Sequence, residues 1–305
     1  MNAREWLDGS ATRWDIALLG APISRASISP SAAHTTPAAF REALRRFSTY
    51  DGDHGIELSA LAVRDLGDLD GDEDGVAAAH GRIEHACRAA TESGAPVVVV
   101  GGDNSLTLPA MRGCAGDALG DGWGLLTFDT HHDVRDPAVY GGSRNGTPVR
   151  ELIDAGLPGR RVAQVGLSGF ANSREHYQWA RAQGIHMRRA AQVRAAGMTS
   201  ILDSAISALE RNGAGLIYAD VDLDVLDRAF APACPASMPG GLSPVDLQEA
   251  AFMLGTAAGV RALDLTEVDA QADVAGVTVR TMCAVFLSFC AGVCHRLRLQ
   301  AEAVE

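Results

Sequence analysis

The most unusual absence in this 305-residue sequence is lysine, because all 26 of its basic residues are arginine. Enzymes that form a lysine Schiff base, anchor pyridoxal phosphate or bind phosphate through a P-loop lysine all need that residue. Acyl enzymes of the Ser-x-x-Lys type need it too. These classes are excluded, and the chemistry must rest on carboxylates, histidine, cysteine, arginine or a metal ion.

Paired cysteines, long apolar runs and net positive charge are also missing. The six cysteines include no Cys-x-x-Cys pair, which favours buried, reduced thiols over disulfides or zinc. The first 22 residues contain no signal-peptide pattern, and the apolar segment 282–294 is shorter than the ~18–20 residues of a membrane span. The net charge of −12 argues against binding nucleic acid or an anionic membrane. We therefore expect a cytoplasmic protein that binds neither.

Short apolar runs alternate with longer stretches of helical spacing. We predict strands at 15–20, 62–66, 96–101, 124–128, 161–166, 215–221 and 260–265, and helices at 37–47, 76–93, 173–183, 200–211, 244–254 and 278–297. This alternation predicts an α/β fold with a mainly parallel sheet covered by helices on both faces. No linker or repeat is visible, which indicates a single domain over 1–305. Ligands of such sheets bind at the carboxyl ends of the strands.

Three of these strand ends carry clustered polar residues. They are Gly-Gly-Asp-Asn-Ser at 101–105, Asp-Thr-His-His-Asp at 129–133 and Asp-Val-Asp-Leu-Asp at 220–224. In extended backbone, residues two apart point the same way, so Asp129, His131 and Asp133 share one side, as do Asp222 and Asp224. A lone aspartate there usually caps a helix or turn. Two clusters of matching spacing favour a metal pair, and oxygen and imidazole ligands suit Mn²⁺.

The order and residue patterns of these segments resemble those of the ureohydrolases, the family of arginase, agmatinase and formimidoylglutamase. Residues 129–133 look like the family's Asp-Ala-His-x-Asp motif, and residues 220–232 with 238–242 resemble its second metal segment. Residues 20–22, 36–41, 267–269, Asp273 and Thr278 add further matches, so the resemblance spans about 15–290. It implies a three-layer α/β/α, arginase-like fold and assembly as a homo-oligomer, a trimer or hexamer.

The resemblance also assigns roles to individual residues. It implies that five residues are ligands of two Mn²⁺ ions: Asp129, His131, Asp133, Asp222 and Asp224. Asp129 and Asp222 would bridge the two ions. Glu267 matches the acidic residue that faces the cationic end of the substrate. A hydroxide activated by the metal pair would attack an amidine or guanidine carbon. Asp133 would hold that hydroxide and pass its proton to the leaving nitrogen.

Three positions near the expected metal pair depart from the family pattern. Asn104 stands where most members have a histidine ligand, and its carbonyl oxygen would be a weaker ligand for one of the two ions. His132 is adjacent to a ligand, but strand alternation points it the other way, so we expect mainly a packing role. Asp220 replaces a small residue and either adds a carboxylate to the weakened site or is neutralised by a neighbour.

Three further departures concern the substrate. Asn145 occupies the place of a histidine that shuttles protons or contacts substrate in arginase-like members, and an amide cannot shuttle protons. Arg135 and Arg144 would bind carboxylates and repel a cationic tail, unless each is only a surface ion-pair partner. N-formimidoyl-L-glutamate, an amidine with two carboxylates, fits best. Two alternatives stay open: a guanidino compound that yields urea, or a non-catalytic subunit of the same fold.

A fourth acid-rich stretch resembles a calcium loop. Residues 68–75 read Asp-Leu-Asp-Gly-Asp-Glu-Asp-Gly, but Glu73 stands where the loop needs glycine and Ala79 where it needs glutamate. We therefore predict a solvated acidic turn.

Overall fold

Eight parallel strands form the central sheet in the computed structural model, which describes residues 1–7 and 13–303. In chain order the strands are β1 (Ile16–Ala21), β2 (Tyr50–Asp51), β3 (Ile56–Glu57), β4 (Val63–Asp68), β5 (Val97–Gly101), β6 (Trp123–Phe128), β7 (Val162–Leu167), β8 (His186–Arg189), β9 (Leu216–Asp222) and β10 (Val260–Thr266). The sheet order is β4-β1-β5-β10-β9-β6-β7-β8, and β2 and β3 form a separate antiparallel pair.

Eleven α-helices are present in the described residues, and several connect consecutive strands. They are α1 (Ala3–Leu7), α2 (Thr36–Ala43), α3 (Val76–Thr91), α4 (Thr107–Ala115), α5 (Pro137–Tyr140), α6 (Pro148–Asp154), α7 (Arg174–Ala182), α8 (Ala190–Ala196), α9 (Met198–Arg211), α10 (Pro244–Thr256) and α11 (Val277–Glu302). Among the short 3₁₀ turns, Asn104–Leu106 directly precedes α4, and Leu223–Val225 directly follows β9.

The predicted fold class is confirmed, and all seven predicted strands form. The edge strand β8 was missed because its sequence, His-Met-Arg-Arg, lacks the apolar run typical of a buried strand. Helix α4 was missed for the opposite reason. Eight of its nine residues are buried, so it has no polar face to reveal a helical period.

Side chains alternate between two cores, one on each face of the sheet. Leu18, Val98 and Val221 point into the core built with α2, α9, α10 and α11. Leu19, Val99 and Tyr218 point into the core built with α3, α4 and α6. Strands buried on both faces are typical of a three-layer α/β/α arrangement. The polar residues that follow β6, β9 and β10 therefore lie at the end of a sheet that is buried on both faces.

Helix α11 is longer than predicted, and by length and composition alone it is apolar enough to cross a membrane. Within its most apolar window, however, 67% of the residues are buried inside the protein. Its closest partner is α10, where Gly255 and Gly292 let the two backbones touch, because a Cβ atom on either would collide with a carbonyl of the other helix. The six cysteines are free and buried, as expected.

Candidate metal centre and substrate cavity

The first acid-rich segment begins directly after β6. Asp129 is 1% exposed, and one of its carboxylate oxygens accepts a 2.6 Å hydrogen bond from the backbone N–H of His131. The Nδ1 atom of His131 lies 3.4 Å from Asp129 Oδ1 and 3.0 Å from Asp224 Oδ2. One donor atom from each of these three residues can be chosen so that all lie within 4.8 Å of one another. The structure thus brings two segments, 90 residues apart in sequence, to one point.

Asp133 reaches the same cavity from a left-handed backbone conformation rather than by strand alternation. The strand ends at Phe128, and Asp133 has a φ of 52°, in the left-handed region that residues other than glycine rarely adopt. Its carboxylate Oδ2 accepts a 2.8 Å hydrogen bond from the side-chain Nδ2 of Asn104. The expectation of a continuous extended segment is therefore wrong, although Asp133 still lines the cavity with His131.

The second acid-rich segment ends β9. Asp222 is the last residue of the strand, and Asp224 lies in the 3₁₀ turn that follows it. One oxygen of Asp222 accepts a 2.7 Å hydrogen bond from the backbone N–H of Asp224. Both carboxylates line the cavity, so the predicted shared side is observed, but a tight turn and not strand pleating produces it.

Glu267 forms the wall of the cavity after β10. It is 2% exposed and has a φ of 65°, a second strained position at this site. Its Oε1 accepts hydrogen bonds from the backbone N–H of Asn104, at 2.7 Å, and from Asn145 Nδ2, at 3.0 Å. The other end of Asn145 accepts a 3.0 Å bond from the backbone N–H of Ile28.

Asn104 is buried at the position expected to hold a weak ligand. Its carbonyl oxygen accepts a 2.9 Å hydrogen bond from the Thr266 hydroxyl and lies 3.0 Å from the Thr107 hydroxyl oxygen. Its amide nitrogen donates to Asp133. In this orientation the amide turns a donor, and no oxygen lone pair, toward the carboxylates. Its role as a metal ligand stays a prediction, whereas its role in holding Asp133 is visible.

These side chains surround a cavity of about 100 Å³. It is lined by Ile28, Ser29, His131, Asp133, Arg135, Asn145, Gly146, Asp222, Asp224, Ala236 and Glu267. Pockets that enclose a drug-sized ligand measure roughly 300–1,000 Å³, so this cavity is smaller than a typical small-molecule site. A larger cavity of about 720 Å³ between α2 and α11 contains none of the clustered residues.

Burial and mutual repulsion dominate the electrostatics of these side chains. Burial, with added repulsion from neighbouring carboxylates, raises the pKa of Asp129 and of Asp222 well above the usual range. Burial likewise raises the pKa of Asp133 to about 6. Burial alone would lower the pKa of His131, but Asp224 and Asp129 raise it to about 12.

This imbalance is what a metal pair would correct. Four carboxylates, none more than 8% exposed, converge on a single imidazole. Carboxylate oxygens with an imidazole nitrogen are suitable ligands for Mn²⁺, and cations would replace repulsion with attraction. Asp129, His131 and Asp224 form the tightest group, and Asp133 and Asp222 line the same cavity. The donor set therefore fits divalent metal ions.

The two arginines predicted to bind carboxylates lie in different environments. Arg135 lines the cavity, and its Nη1 donates a 2.6 Å hydrogen bond to the Tyr140 hydroxyl, with the guanidinium 5.1 Å above that ring. Arg144 does not line the cavity. Its guanidinium donates 3.4 Å hydrogen bonds to the backbone carbonyls of Tyr140 and Arg25. A carboxylate-binding role for Arg144 stays a prediction.

His132 points away from the cluster, as we expected because it is adjacent to His131 in the chain. Its Nδ1 lies 2.7 Å from Gln164 Oε1, and its backbone carbonyl accepts a 3.0 Å bond from Gln164 Nε2. The ring is 2% exposed and forms part of a different cavity. This is the hydrogen-bonded packing role that the sequence predicts.

The sequence did not reveal the loop 22–32, which forms the cavity mouth. Asp72 holds it, because one of its oxygens accepts bonds from the backbone N–H groups of Ser24, at 2.8 Å, and Arg25, at 2.6 Å. The prediction of a solvated acidic turn is therefore wrong for Asp72, which is only 7% exposed. The sequence did not predict this role, because Asp72 lies in the acidic stretch 68–75 that we interpreted as a solvated turn.

Comparison with known proteins identifies the fold that carries this site. The model of the arginase family matches residues 14–292.

The chain belongs to the arginase family of hydrolases.

Among the relatives of this arginase-family chain, the formimidoylglutamase of Halalkalibacterium halodurans is 37% identical over 280 residues, covering 91% of this chain and 86% of the relative. The crystal structure of formimidoylglutamase from Bacillus subtilis is 30% identical, with a TM-score of 0.87, and the match covers 94% of this chain and 89% of that one. The human mitochondrial guanidino acid hydrolase is more distant, at 28% identity over 87% of this chain and 74% of the relative.

One solved relative contains the expected metal. The structure of Trypanosoma cruzi formiminoglutamase with two Mn²⁺ ions is 25% identical, with a TM-score of 0.87, and the match covers 97% of this chain and 99% of that one. The arginase-like fold predicted from the motifs is thus confirmed. The individual ligand assignments in this chain stay predictions.

Proposed function

We propose that this arginase-family hydrolase cleaves N-formimidoyl-L-glutamate to L-glutamate and formamide with the help of two Mn²⁺ ions. The observation that carries the proposal is the position of Arg135, a guanidinium at a cavity otherwise rich in carboxylates. The names of two relatives, both formimidoylglutamases, support the same substrate. An anionic substrate needs such a guanidinium, since the cavity alone would repel it.

The reaction is a hydrolysis of one carbon–nitrogen bond. Oxygen from water bonds to the amidine carbon, the bond from that carbon to the glutamate nitrogen breaks, and the released nitrogen gains a proton. When bound at the cluster, the metal ions would neutralise the carboxylates and lower the pKa of a water molecule.

Residues of this chain would orient the substrate and move the proton. Glu267, fixed by Asn104 and Asn145, presents a carboxylate that would hold the amidinium N–H groups. Burial, together with repulsion from Asp103, raises the pKa of Glu267 to about 8 in the metal-free protein. Asp133 would hold the attacking water and carry its proton to the leaving nitrogen, and the Asn104 amide fixes its carboxylate for that transfer.

Arg135 would bind the substrate carboxylates at the mouth. Its tether to Tyr140 fixes the guanidinium without neutralising it, since the tyrosine hydroxyl is uncharged. A pre-positioned guanidinium loses less conformational freedom on binding. The cavity of about 100 Å³ would then take the amidine group while the dicarboxylate remains near the mouth.

A product assay on Mn²⁺-loaded protein tests this function. We expect formamide and glutamate from N-formimidoyl-L-glutamate and no urea from arginine or agmatine. The second candidate is a guanidino acid hydrolase, favoured by the distant relatives of that name and by the same Arg135. Urea release from a guanidino acid without formamide release would replace the first function by the second. Protein that takes up Mn²⁺ yet hydrolyses neither substrate would favour a non-catalytic role.

We also propose that the chain functions as a homo-oligomer in the cytoplasm. Large apolar side chains remain exposed on the single chain, among them Phe170 at 96% and Val139 at 76%. Burial against another copy would remove them from water. Light scattering on the purified protein measures the assembly size, and a monomer would contradict the proposal.

A further inference from the structure

Asp220, in the interior of β9, is an anomaly in the polar bonding of the core. It is completely buried, and among the described residues no N–H or hydroxyl group donates to either of its carboxylate oxygens. The carboxyl of Asp264 lies within hydrogen-bonding reach, so the two acids can pair only by sharing a proton. On the same rung of the sheet it lies between Thr127 of β6 and Asp264 of β10. A buried carboxylate without a donor or counter-charge costs several kcal/mol, so it must bind a proton or a cation.

The neighbouring Asp264 is equally buried, but both of its carboxylate oxygens accept hydrogen bonds. Its Oδ2 accepts hydrogen bonds from the hydroxyls of Thr107, at 2.9 Å, and Tyr218, at 2.7 Å. Its Oδ1 accepts from the backbone N–H of Val221, at 3.2 Å. The two aspartates on one rung therefore differ, because hydroxyl and N–H donors reach Asp264, whereas only the carboxyl of Asp264 reaches Asp220.

Asp220 lies directly beneath the candidate metal centre. Asp222 points to the same face of β9, two residues and about 6.6 Å further along the strand. Asp129 follows β6 on the rung of Asp222, because Phe128 pairs with Val221. The orphan carboxylate and the metal ligands therefore lie on the same face of the sheet, on successive rungs.

The same centre is short of one ligand from another strand. The carbonyl oxygen of Asn104, after β5, accepts a hydrogen bond from Thr266 and lies against the Thr107 hydroxyl, and its amide nitrogen faces Asp133. A site that has lost an imidazole and contains one additional buried carboxylate can keep its ligand number, because Mn²⁺ accepts oxygen in place of nitrogen.

We propose that Asp220 supplies a carboxylate ligand to the metal pair in place of the imidazole that Asn104 does not provide. This inference rests on the metal centre of the proposed function. It explains why both Asp220 oxygens are free of donors, since a ligand needs its lone pairs. It also assigns a task to an aspartate that the family resemblance leaves without one.

Metal binding to three proteins tests the proposal. Asp220→Asn keeps the shape and removes the charge, and Thr127→Val is the matched control, because its hydroxyl lies on the same rung and also lacks a partner. Calorimetry and metal analysis give the Kd and the number of Mn²⁺ ions per chain. We expect two ions in the wild type and in Thr127→Val, and one ion bound at least tenfold more weakly in Asp220→Asn.

Each other outcome overturns a defined statement. Equal Mn²⁺ binding by wild type and Asp220→Asn would overturn the proposal and leave Asp220 as a protonated partner that donates to Asp264. Equal losses of Mn²⁺ binding in Asp220→Asn and Thr127→Val would also overturn it, because the loss would not be specific to the carboxylate. A wild-type chain that binds no Mn²⁺ would instead refute the proposed metal-dependent function. If Asp220→Asn does not fold, anomalous diffraction from Mn²⁺-loaded wild-type crystals decides. An Asp220 oxygen about 2.2 Å from an ion supports the proposal, and a separation beyond about 3 Å overturns it.

Discussion

Two acid-rich regions of this chain handle their charge in opposite ways. At the end of β4 and in the loop after it, arginines neutralise the carboxylates: Arg41 pairs with Asp65 at 2.8 Å and with Asp68, and Arg82 pairs with Asp74 at 2.7 Å. At the ends of β6 and β9, no arginine forms an ion pair with a cavity carboxylate in the part of the chain that the structure describes. There a histidine alone joins Asp129 and Asp224.

The difference shows that a count of acidic residues does not distinguish a surface from a site. Both regions contain aspartates spaced two apart after a strand, and both repel internally. Where arginine neutralises the charge, the pKa of Asp65 falls despite its partial burial, through its bonds with Arg41. Where no arginine reaches, burial raises the pKa of Asp222 instead. The second arrangement is stable with all groups ionised only when cations are present.

The largest expected effect comes from removing one carboxylate in each region. Asp222→Asn should abolish tight Mn²⁺ binding and reduce hydrolysis to background, because it removes a charge that only the metal pair balances. Asp65→Asn is the matched control, and it should retain Mn²⁺ binding and turnover while losing stability. Activity and metal content of both variants measure this, and an Asp222→Asn enzyme with full activity would break the comparison.

Metal removal should separate the two regions by their pH dependence. Burial raises the pKa of Asp264 to about 6 and of Glu267 to about 8, so the folded metal-free protein binds more protons than the unfolded chain. Their stabilising contribution is present below their unfolded pKa values and is lost as the pH rises through 6 to 8. Asp65, whose pKa is lowered, contributes the opposite sign and loses stability in acid.

We therefore expect the chelator-treated protein to lose thermal stability between about pH 5 and pH 8. Mn²⁺ at about a thousand times its Kd should restore about 4 kcal/mol per site at the higher pH. Unfolding scans with chelator and with Mn²⁺ measure both effects. A metal-free protein of equal stability at both pH values would contradict the charge imbalance.

The arginine-neutralised region should respond in stability alone. Arg41→Gln would leave Asp65 and Asp68 without their counter-charge and should cost about 1.5–3 kcal/mol of unfolding free energy. Turnover per folded molecule should stay unchanged, because these groups do not line the cavity. Urea unfolding combined with activity measurements tests this, and a large fall in kcat would place the region in the catalytic machinery.

The arginine of the cavity should respond in substrate binding. Arg135→Ala should raise KM for a dicarboxylate amidine about 10–100-fold, as expected for loss of a charge-assisted hydrogen bond of about 1.5–3 kcal/mol. Arg144→Ala should change KM much less, because its guanidinium bonds to backbone carbonyls. Steady-state kinetics measure both, and an unchanged KM in Arg135→Ala would exclude it as the carboxylate-binding group.

The sequence by itself determined the fold class, the strand ends that carry chemistry and the family, because apolar periodicity and motif order are local properties. Seven of the eight strands in the main sheet follow from apolar runs that must be buried. Tertiary structure alone decided the orientation of Asn104, the tether of Asp72 to the loop 22–32 and the isolation of Asp220. Each depends on partners more than 40 residues away, such as Thr266 for Asn104 and Ser24 for Asp72. Which lone pairs remain free is settled only when strands distant in sequence become neighbours.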